Sequence, residues 1–98
     1  MSELRVEWDP AKAASNVRKH GVSFEDAQTV FTDEHGLFLD DPDHSAAEER
    51  FVLLGLSAAA GVLVVVHCYR RHRDVIRLIS ARRASRRERE RYAQGWKP

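Results

Sequence analysis

Three apolar runs between residues 50 and 83 constrain the fold of this chain more than any other feature of its sequence. The runs span residues 50–57, 62–70 and 74–82, and each has the length and the Val, Ile, Leu and Phe content of a buried strand. The segments that separate them, residues 58–61 and 71–73, are short enough to connect neighbouring antiparallel strands. The sequence therefore predicts a three-stranded antiparallel meander.

The same stretch has one other interpretation, a membrane-spanning helix over residues 51–69. These nineteen residues carry no formal charge, and about 20 apolar residues span a bilayer. Gly55, Gly61 and the β-branched run at residues 62–66 argue against a helix, as does His67 near the end of the segment. We therefore expect strands and no membrane association.

A helix is predicted before the meander, from Pro10 to His20. Asp9 suits the N-cap, proline suits the first helical position, and Gly21 suits the C-cap. The apolar stripe of this helix is predicted to consist of Ala11, Ala14 and Val17.

Two further helices are predicted from capping residues. Ser23 is the N-cap of the first, and Ser85 begins a C-terminal helix that runs to about Gln94 and is closed by Gly95. Ser85 and Glu88 have the spacing of a capping box. The predicted apolar face of the helix after Ser23 consists of Phe24, Ala27, Val30 and Phe31.

Short strands at residues 5–8 and 37–40 complete the predicted sheet, the first of them at an edge. The expected fold class is α+β. We expect a single domain over residues 1–98, with an antiparallel sheet packed with two N-terminal helices and a C-terminal helix.

Charge is distributed unevenly along the chain. Residues 1–49 carry four Lys or Arg against twelve Asp or Glu, a net charge of −8, and residues 50–98 carry twelve against three, a net charge of +9. Because arginine matches phosphate oxygens with two parallel hydrogen bonds, the basic half predicts a phosphate-bearing ligand or an acidic partner. Pairing between the two halves is the structural alternative.

Several classes of site are not expected. The spacing of Asp40, Asp41, Asp43 and His44 fits neither a calcium loop nor a zinc site, so we expect no metal. No nucleotide-binding motif occurs, and no cofactor is expected. Cys68, the only cysteine, allows no internal disulfide and is expected to be buried filler. The first residues contain no apolar run, so we expect no signal peptide and a cytoplasmic protein.

Strand alternation predicts where polar groups collect. In the third run, Ile76, Leu78, Ser80 and Arg82 are expected on one face, and Val75, Arg77, Ile79 and Ala81 on the other. Both faces are largely apolar, so the polar residues are left at the strand ends. These end residues are Glu49, Arg50, Arg70 and Arg82.

Arginines with one glutamate and one histidine suit the internal transesterification of RNA. A base takes the proton of the 2′-hydroxyl, an acid protonates the leaving oxygen, and cations stabilise the charge that builds on the phosphate. No metal is required. Glu49 or His20 is the predicted acid or base, and the predicted electrostatic partners are Arg50, Arg70 and Arg82. The predicted RNA contacts are Lys19, Arg77 and Arg83.

A non-catalytic RNA- or DNA-binding module that uses residues 86–91 is the alternative.

The order of these motifs resembles the BrnT toxins of bacterial type II toxin–antitoxin systems. The similarity is carried by WDPAKAASNVRKHGVSFEDA at residues 8–27, ER at 49–50, LGLS at 54–57 and ISARRA at 79–84, with Glu88, Arg89 and Tyr92 following.

The resemblance implies a RelE-like ribonuclease fold and an endoribonuclease activity that arrests growth by cutting RNA. It also implies a cognate antitoxin, BrnA, with a ribbon-helix-helix DNA-binding part. That antitoxin would neutralise the toxin, form a heterotetramer with it, and carry the complex to operator DNA.

Overall fold

The predicted meander is present in the computed structural model, which describes residues 5–39, 49–70 and 74–95. In chain order the elements are β1 (Arg5–Glu7), α1 (Pro10–His20), α2 (Phe24–Ala27), a 3₁₀ helix (Gln28–Thr32), β2 (Leu37–Leu39), β3 (Phe51–Leu56), β4 (Val62–Arg70), β5 (Val75–Arg83) and α3 (Arg86–Gly95). The membrane-helix alternative is wrong, because residues 51–69 form β3 and most of β4. No helix in the described part of the chain is long and apolar enough to cross a membrane.

The described strands form one sheet in the order β1-β5-β4-β3-β2. Strands β2 to β5 are antiparallel neighbours, as predicted, but β1 runs parallel to β5. The sheet is therefore mixed, and the prediction of a purely antiparallel sheet is wrong in this respect. Almost the whole chain separates β1 from β5, so no local turn determines their relative direction.

A β-bulge in β5 overturns the predicted alternation of its side chains. Val66 pairs with Ser80 and His67 pairs with Leu78, which leaves Ile79 as an extra residue of β5. An extra residue reverses the faces of all residues that follow it. Ala81 consequently shares a face with Ile76 and Leu78, and Arg82 lies on the opposite face.

Each face of the sheet has its own apolar core. The front face packs against α1, α2 and the 3₁₀ helix, and its buried residues are Val22, Phe24, Ala27, Val30, Leu53, Leu63, Val65, Ile76, Leu78 and Ala81. The back face is covered at one end by Tyr92 of α3, and its buried residues are Val52, Leu54, Val64 and Ala84. The predicted face of the second helix is confirmed as core, with Phe31 half-buried.

Gly55 allows the 3₁₀ helix to approach β3 closely. A Cβ atom at this position would lie 3.0 Å from the Cβ of Val30, which is closer than ordinary van der Waals contact. A side chain here would separate the 3₁₀ helix from the sheet.

Helix α1 has the predicted bounds and caps but not the predicted buried face. The Asp9 carboxylate accepts from the amide of Ala11, and Gly21 adopts a left-handed conformation with φ of 68°. Residues 11, 14 and 17 of the predicted apolar stripe are exposed, with Val17 48% exposed, whereas Asn16 is buried. The helix is thus fixed to the sheet by hydrogen bonds from Asn16 rather than by an apolar stripe.

Candidate functional site

A polar pocket lies between α1 and the edge of β5. Its volume is about 240 Å³, and it is lined by Lys12, Ser15, Asn16, Lys19, His20, Ile79 and Ser80. We call it the α1–β5 pocket. It contains two lysines, an imidazole and two hydroxyl groups, a set of groups suited to an anionic ligand.

Helical periodicity and an incomplete sheet edge create this pocket. Residues 12, 15, 16 and 19 recur at spacings of three and four, so they lie on one side of α1. Strand β1 pairs only with positions 75–77 of β5, which leaves the following positions without a strand on that side. Asn16 occupies this edge, donating to the carbonyl oxygen of Ala81 at 2.8 Å and accepting from its amide at 3.0 Å.

Three of the predicted site residues meet at the end of α1. Lys19 and His20 line the α1–β5 pocket. Arg83 of β5 reaches the same helix end, where its guanidinium donates to the carbonyl oxygen of His20 at 3.5 Å. Sequence reasoning missed Lys12, Ser15 and Ser80 as site residues. The spacing of Lys12, Ser15 and Lys19 on a single helix was the available signal.

Four other predicted residues gather at one end of the sheet, where β3 begins and β4 ends. Phe51 pairs with His67 and Arg70 pairs with Val75, so Glu49, Arg50, Arg70 and Arg77 lie at the same end. We call these four residues the strand-end cluster. Glu49 and Arg70 are exposed, and Arg50 and Arg77 are half-buried. Arg77 donates to the Glu7 carboxylate at 2.9 Å, which pairs the basic half of the chain with the acidic half.

Arg82 does not join the strand-end cluster. It pairs with Val64 of β4, whereas Arg70 ends that strand, a separation of about 20 Å at roughly 3.4 Å per residue. The guanidinium of Arg82 makes two hydrogen bonds to the Glu88 carboxylate, at 2.8 and 2.9 Å. The hydrogen bond from Arg82 lowers the pKa of Glu88 to about 2. The charge of Arg82 is therefore largely balanced within the protein.

Within residues 5–39, 49–70 and 74–95, no group of three or more His, Cys, Asp or Glu side chains is placed to hold a metal ion. The sequence candidates Asp40, Asp41, Asp43 and His44 lie outside the described residues. Cys68 is buried, as expected.

The motif order agrees with a comparison against known families. The family model for BrnT, described as the ribonuclease toxin of type II toxin–antitoxin systems, matches residues 8–88. The chain belongs to the BrnT family. The matched region contains α1 and all of the sheet from β2 to β5, and it ends at Glu88 in α3.

A solved BrnT structure has the same fold. The crystal structure of the Brucella abortus ribonuclease toxin BrnT superposes with a TM-score of 0.65 and 20% sequence identity, covering 86% of this chain and 100% of that chain. The fold of this BrnT protein is thus the mixed α+β arrangement of that structure. No match is found among curated protein sequences.

Proposed function

We propose that this BrnT protein is a metal-independent endoribonuclease whose reaction takes place at the α1–β5 pocket. The observation that carries the proposal is the meeting of His20, Lys12 and Lys19 in one pocket beside the Ser80 hydroxyl. RNA transesterification needs a group that transfers a proton and cations that stabilise the charge on the phosphate. This pocket supplies both from side chains.

The proposed reaction forms one bond and breaks one bond at phosphorus. The 2′-oxygen attacks the adjacent phosphate and loses its proton to a base, and the 5′-oxygen of the next nucleotide leaves with a proton from an acid. His20 fills one of these two roles. Glu49 lies in the strand-end cluster and does not line this pocket, so Lys12 or Lys19 of the pocket is the candidate for the other role. The products are a 2′,3′-cyclic phosphate and a 5′-hydroxyl.

The strand-end cluster is proposed to bind the neighbouring RNA backbone. Arg77 and Ser80 belong to the same strand and are about 10 Å apart at roughly 3.4 Å per residue. Arg77 can therefore contact a phosphate next to the one bound by Lys19 and Arg83 by exchanging Glu7 for that phosphate, and Arg50 and Arg70 extend the basic surface along the same end of the sheet. Arg82 is assigned a smaller electrostatic part than the sequence predicted, because Glu88 balances it.

The test is cleavage of a long single-stranded RNA in EDTA, with analysis of the fragment ends. We expect cyclic phosphate ends from the wild-type protein and a loss of at least about 100-fold in rate for His20→Gln, the usual size of an acid–base contribution. His35→Gln is the matched control, because His35 is an exposed histidine outside the pocket. Full activity of His20→Gln would contradict the assignment. Binding without any cleavage, with affinity that falls steeply with salt, would instead support a non-catalytic RNA-binding module.

The family description implies an antitoxin partner. We assign this chain a BrnA-like antitoxin in the cytoplasm, whose ribbon-helix-helix part binds operator DNA while another segment covers the toxin. The toxin would reach DNA only through that antitoxin. Light scattering of the co-purified pair tests the expected heterotetramer, and operator binding by the toxin alone would contradict the proposal.

A further inference from the structure

Phe38 is an exposed aromatic residue at the edge of the sheet, far from the α1–β5 pocket in the strand order. Its 64% exposure is the highest among the three exposed large apolar residues of the described chain; Val17 and Leu56 are 48% and 49% exposed. Phe38 borders a second cavity of about 250 Å³. The other lining residues are Val30, Phe31, Asp33, Gly36, Leu53, Tyr69 and Ile76. We call this surface the Phe38 pocket.

The walls of the Phe38 pocket are held in place from behind by His67. The imidazole is fully buried and lies edge-on to the rings of Phe31 and Tyr69, with centroid distances of 4.8 and 5.3 Å. The centroid of Phe38 is 6.2 Å from the same imidazole. The cavity is thus a pre-formed apolar site, which lowers the entropy cost of binding.

Among the described residues, the backbone beside this cavity pairs on one side only. Strand β2 is the last strand of the described sheet and pairs only with β3. Alternate residues of an edge strand direct their N–H and C=O groups away from the sheet. An extended peptide can therefore add to β2 while one of its side chains enters the cavity.

Charge distinguishes a peptide from a nucleic acid as the occupant. The lining residues include one carboxylate, Asp33, and no lysine or arginine, and the adjacent Glu34 is exposed. A polynucleotide bound here would place phosphates near carboxylates with no lining cation to balance them. An apolar protein segment has no such cost.

We infer that the Phe38 pocket docks an extended segment of the antitoxin, with one large aliphatic or aromatic side chain in the cavity and its backbone along β2. This inference rests on the proposed function, which supplies the antitoxin. Strand β2 is separated from β5 by two strands, so a segment paired with β2 lies at the sheet edge opposite β1, while the inner end of the pocket reaches Tyr69 of β4 and Ile76 of β5.

The test compares the affinity of the cognate antitoxin for wild-type toxin and for Phe38→Ser, by calorimetry on purified proteins. We expect binding to weaken at least about tenfold, since truncation of a buried aromatic anchor has effects of this size or larger. Phe38→Leu keeps an apolar side chain and should retain most of the affinity. Leu56→Ser and Val17→Ser are matched controls, because they remove similarly exposed apolar side chains elsewhere.

Each outcome of this experiment decides one question. RNA cleavage and the melting temperature should stay unchanged in Phe38→Ser, because Phe38 is exposed and outside the proposed reaction site. Unchanged antitoxin affinity in a folded Phe38→Ser variant would overturn the inference. Lost RNA cleavage with unchanged antitoxin affinity would also overturn it, by assigning the pocket to RNA. No binding by the wild-type toxin would refute the proposed partner itself.

Discussion

Asn16 shows how a single buried polar residue can replace part of a strand. It makes three hydrogen bonds, donating to the carbonyl oxygens of Val22 and Ala81 and accepting from the amide of Ala81. It is 5% exposed, so these bonds are shielded from water in the folded protein. Asn16 therefore joins α1 and the loop after it to the open edge of β5, and it also positions the α1–β5 pocket.

We predict that Asn16→Ala lowers the free energy of unfolding by about 3 kcal/mol, because each backbone group left buried without a partner costs about 1–3 kcal/mol. Urea denaturation measures the change. Ser15→Ala, on the same helix and half-buried, is the control and should change stability by less than about 1 kcal/mol. An equal effect of both substitutions would mean that the hydrogen bonds of Asn16 do not anchor the helix.

His67 is a buried titratable residue whose contribution depends on pH. Its Nδ1 donates to the carbonyl oxygen of Val65 at 3.2 Å, and its Nε2 has no hydrogen-bond partner among the described residues. Burial lowers the pKa of His67 below its ordinary value of 6.5. The unfolded chain therefore binds a proton at pH values where the folded chain does not.

We predict that stability falls as the pH decreases from about 6.5 towards the lowered pKa of folded His67, and levels off below it, since the unfolded state binds more protons in that window. Thermal unfolding at a series of pH values measures this effect. His67→Phe should remove it, whereas His35→Gln, a change at an exposed histidine, should not. A pH dependence that survives His67→Phe would assign it to another group.

Helix α3 is held on the sheet by the ring of Tyr92, which packs against the back core, and by polar contacts. No residue of α3 is buried. The hydroxyl of Tyr92 donates to the Asp33 carboxylate at 2.6 Å, and burial together with this bond raises the pKa of Tyr92 to about 12. Asp33 also accepts from the amides of His35 and Leu56, so one carboxylate joins α3 to β3 and to the turn before β2.

We predict that Tyr92→Phe lowers the free energy of unfolding by about 1–2 kcal/mol, because a hydrogen bond to a charged acceptor is lost while the ring contact is kept. Hydrogen exchange should become faster in Tyr92→Phe than in the wild-type protein, with a larger increase in α3 than in β4. Arg91→Ala, at the neighbouring exposed position, is the control. Unchanged exchange in α3 would show that the Asp33 contact does not hold the helix.

The pair of Arg82 and Glu88 gives the protein a second pH dependence, in acid. The hydrogen bond from Arg82 lowers the pKa of Glu88 from 4.5 to about 2, so the stabilisation is present above pH 4.5 and is lost as the pH falls from 4.5 towards 2. The side chain of Arg82 is 45% exposed, which limits the contribution to about 1 kcal/mol. We predict that Glu88→Gln removes the loss of stability between pH 4.5 and 2, as measured by thermal unfolding at a series of acidic pH values. The same loss of stability in Glu88→Gln would contradict the assignment of this pH dependence to the Arg82–Glu88 pair.

The molecule as a whole separates its charges into surfaces with different expected partners. Lys12, Lys19 and Arg83 lie at the α1 end, three arginines lie in the strand-end cluster, and the Phe38 pocket has a carboxylate and no cation among its lining residues. Pairing between the acidic and basic halves of the chain occurs at Arg77 and Glu7.

We predict that Lys12→Ala weakens RNA binding and reduces the slope of log affinity against log salt by about 0.7, the value for one phosphate contact with a single strand. Filter binding at several salt concentrations measures both quantities. Arg18→Ala removes a cation from the same helix outside the pocket lining, and it should leave the slope nearly unchanged. Equal changes in both variants would indicate general attraction rather than a phosphate site.

Local signals in the sequence were sufficient for most element boundaries and caps. The Asp9 and Ser23 N-caps, the Gly21 C-cap and the hydrogen bonds between Ser85 and Glu88 are all present. Each depends on residues within a few positions of one another. The family could also be identified from motif order alone.

The sequence by itself determined the meander, the capped helices, the uneven charge and the BrnT family. Only the tertiary structure decided the parallel pairing of β1, the bulge at Ile79 that moves Arg82 to the back face, and the division of the predicted site into separate clusters. The physical reason is the separation along the chain between the residues that interact. Caps and strand periods depend on neighbouring residues, whereas strand direction, register and pockets depend on contacts between residues far apart in the chain, such as Asn16 and Ala81.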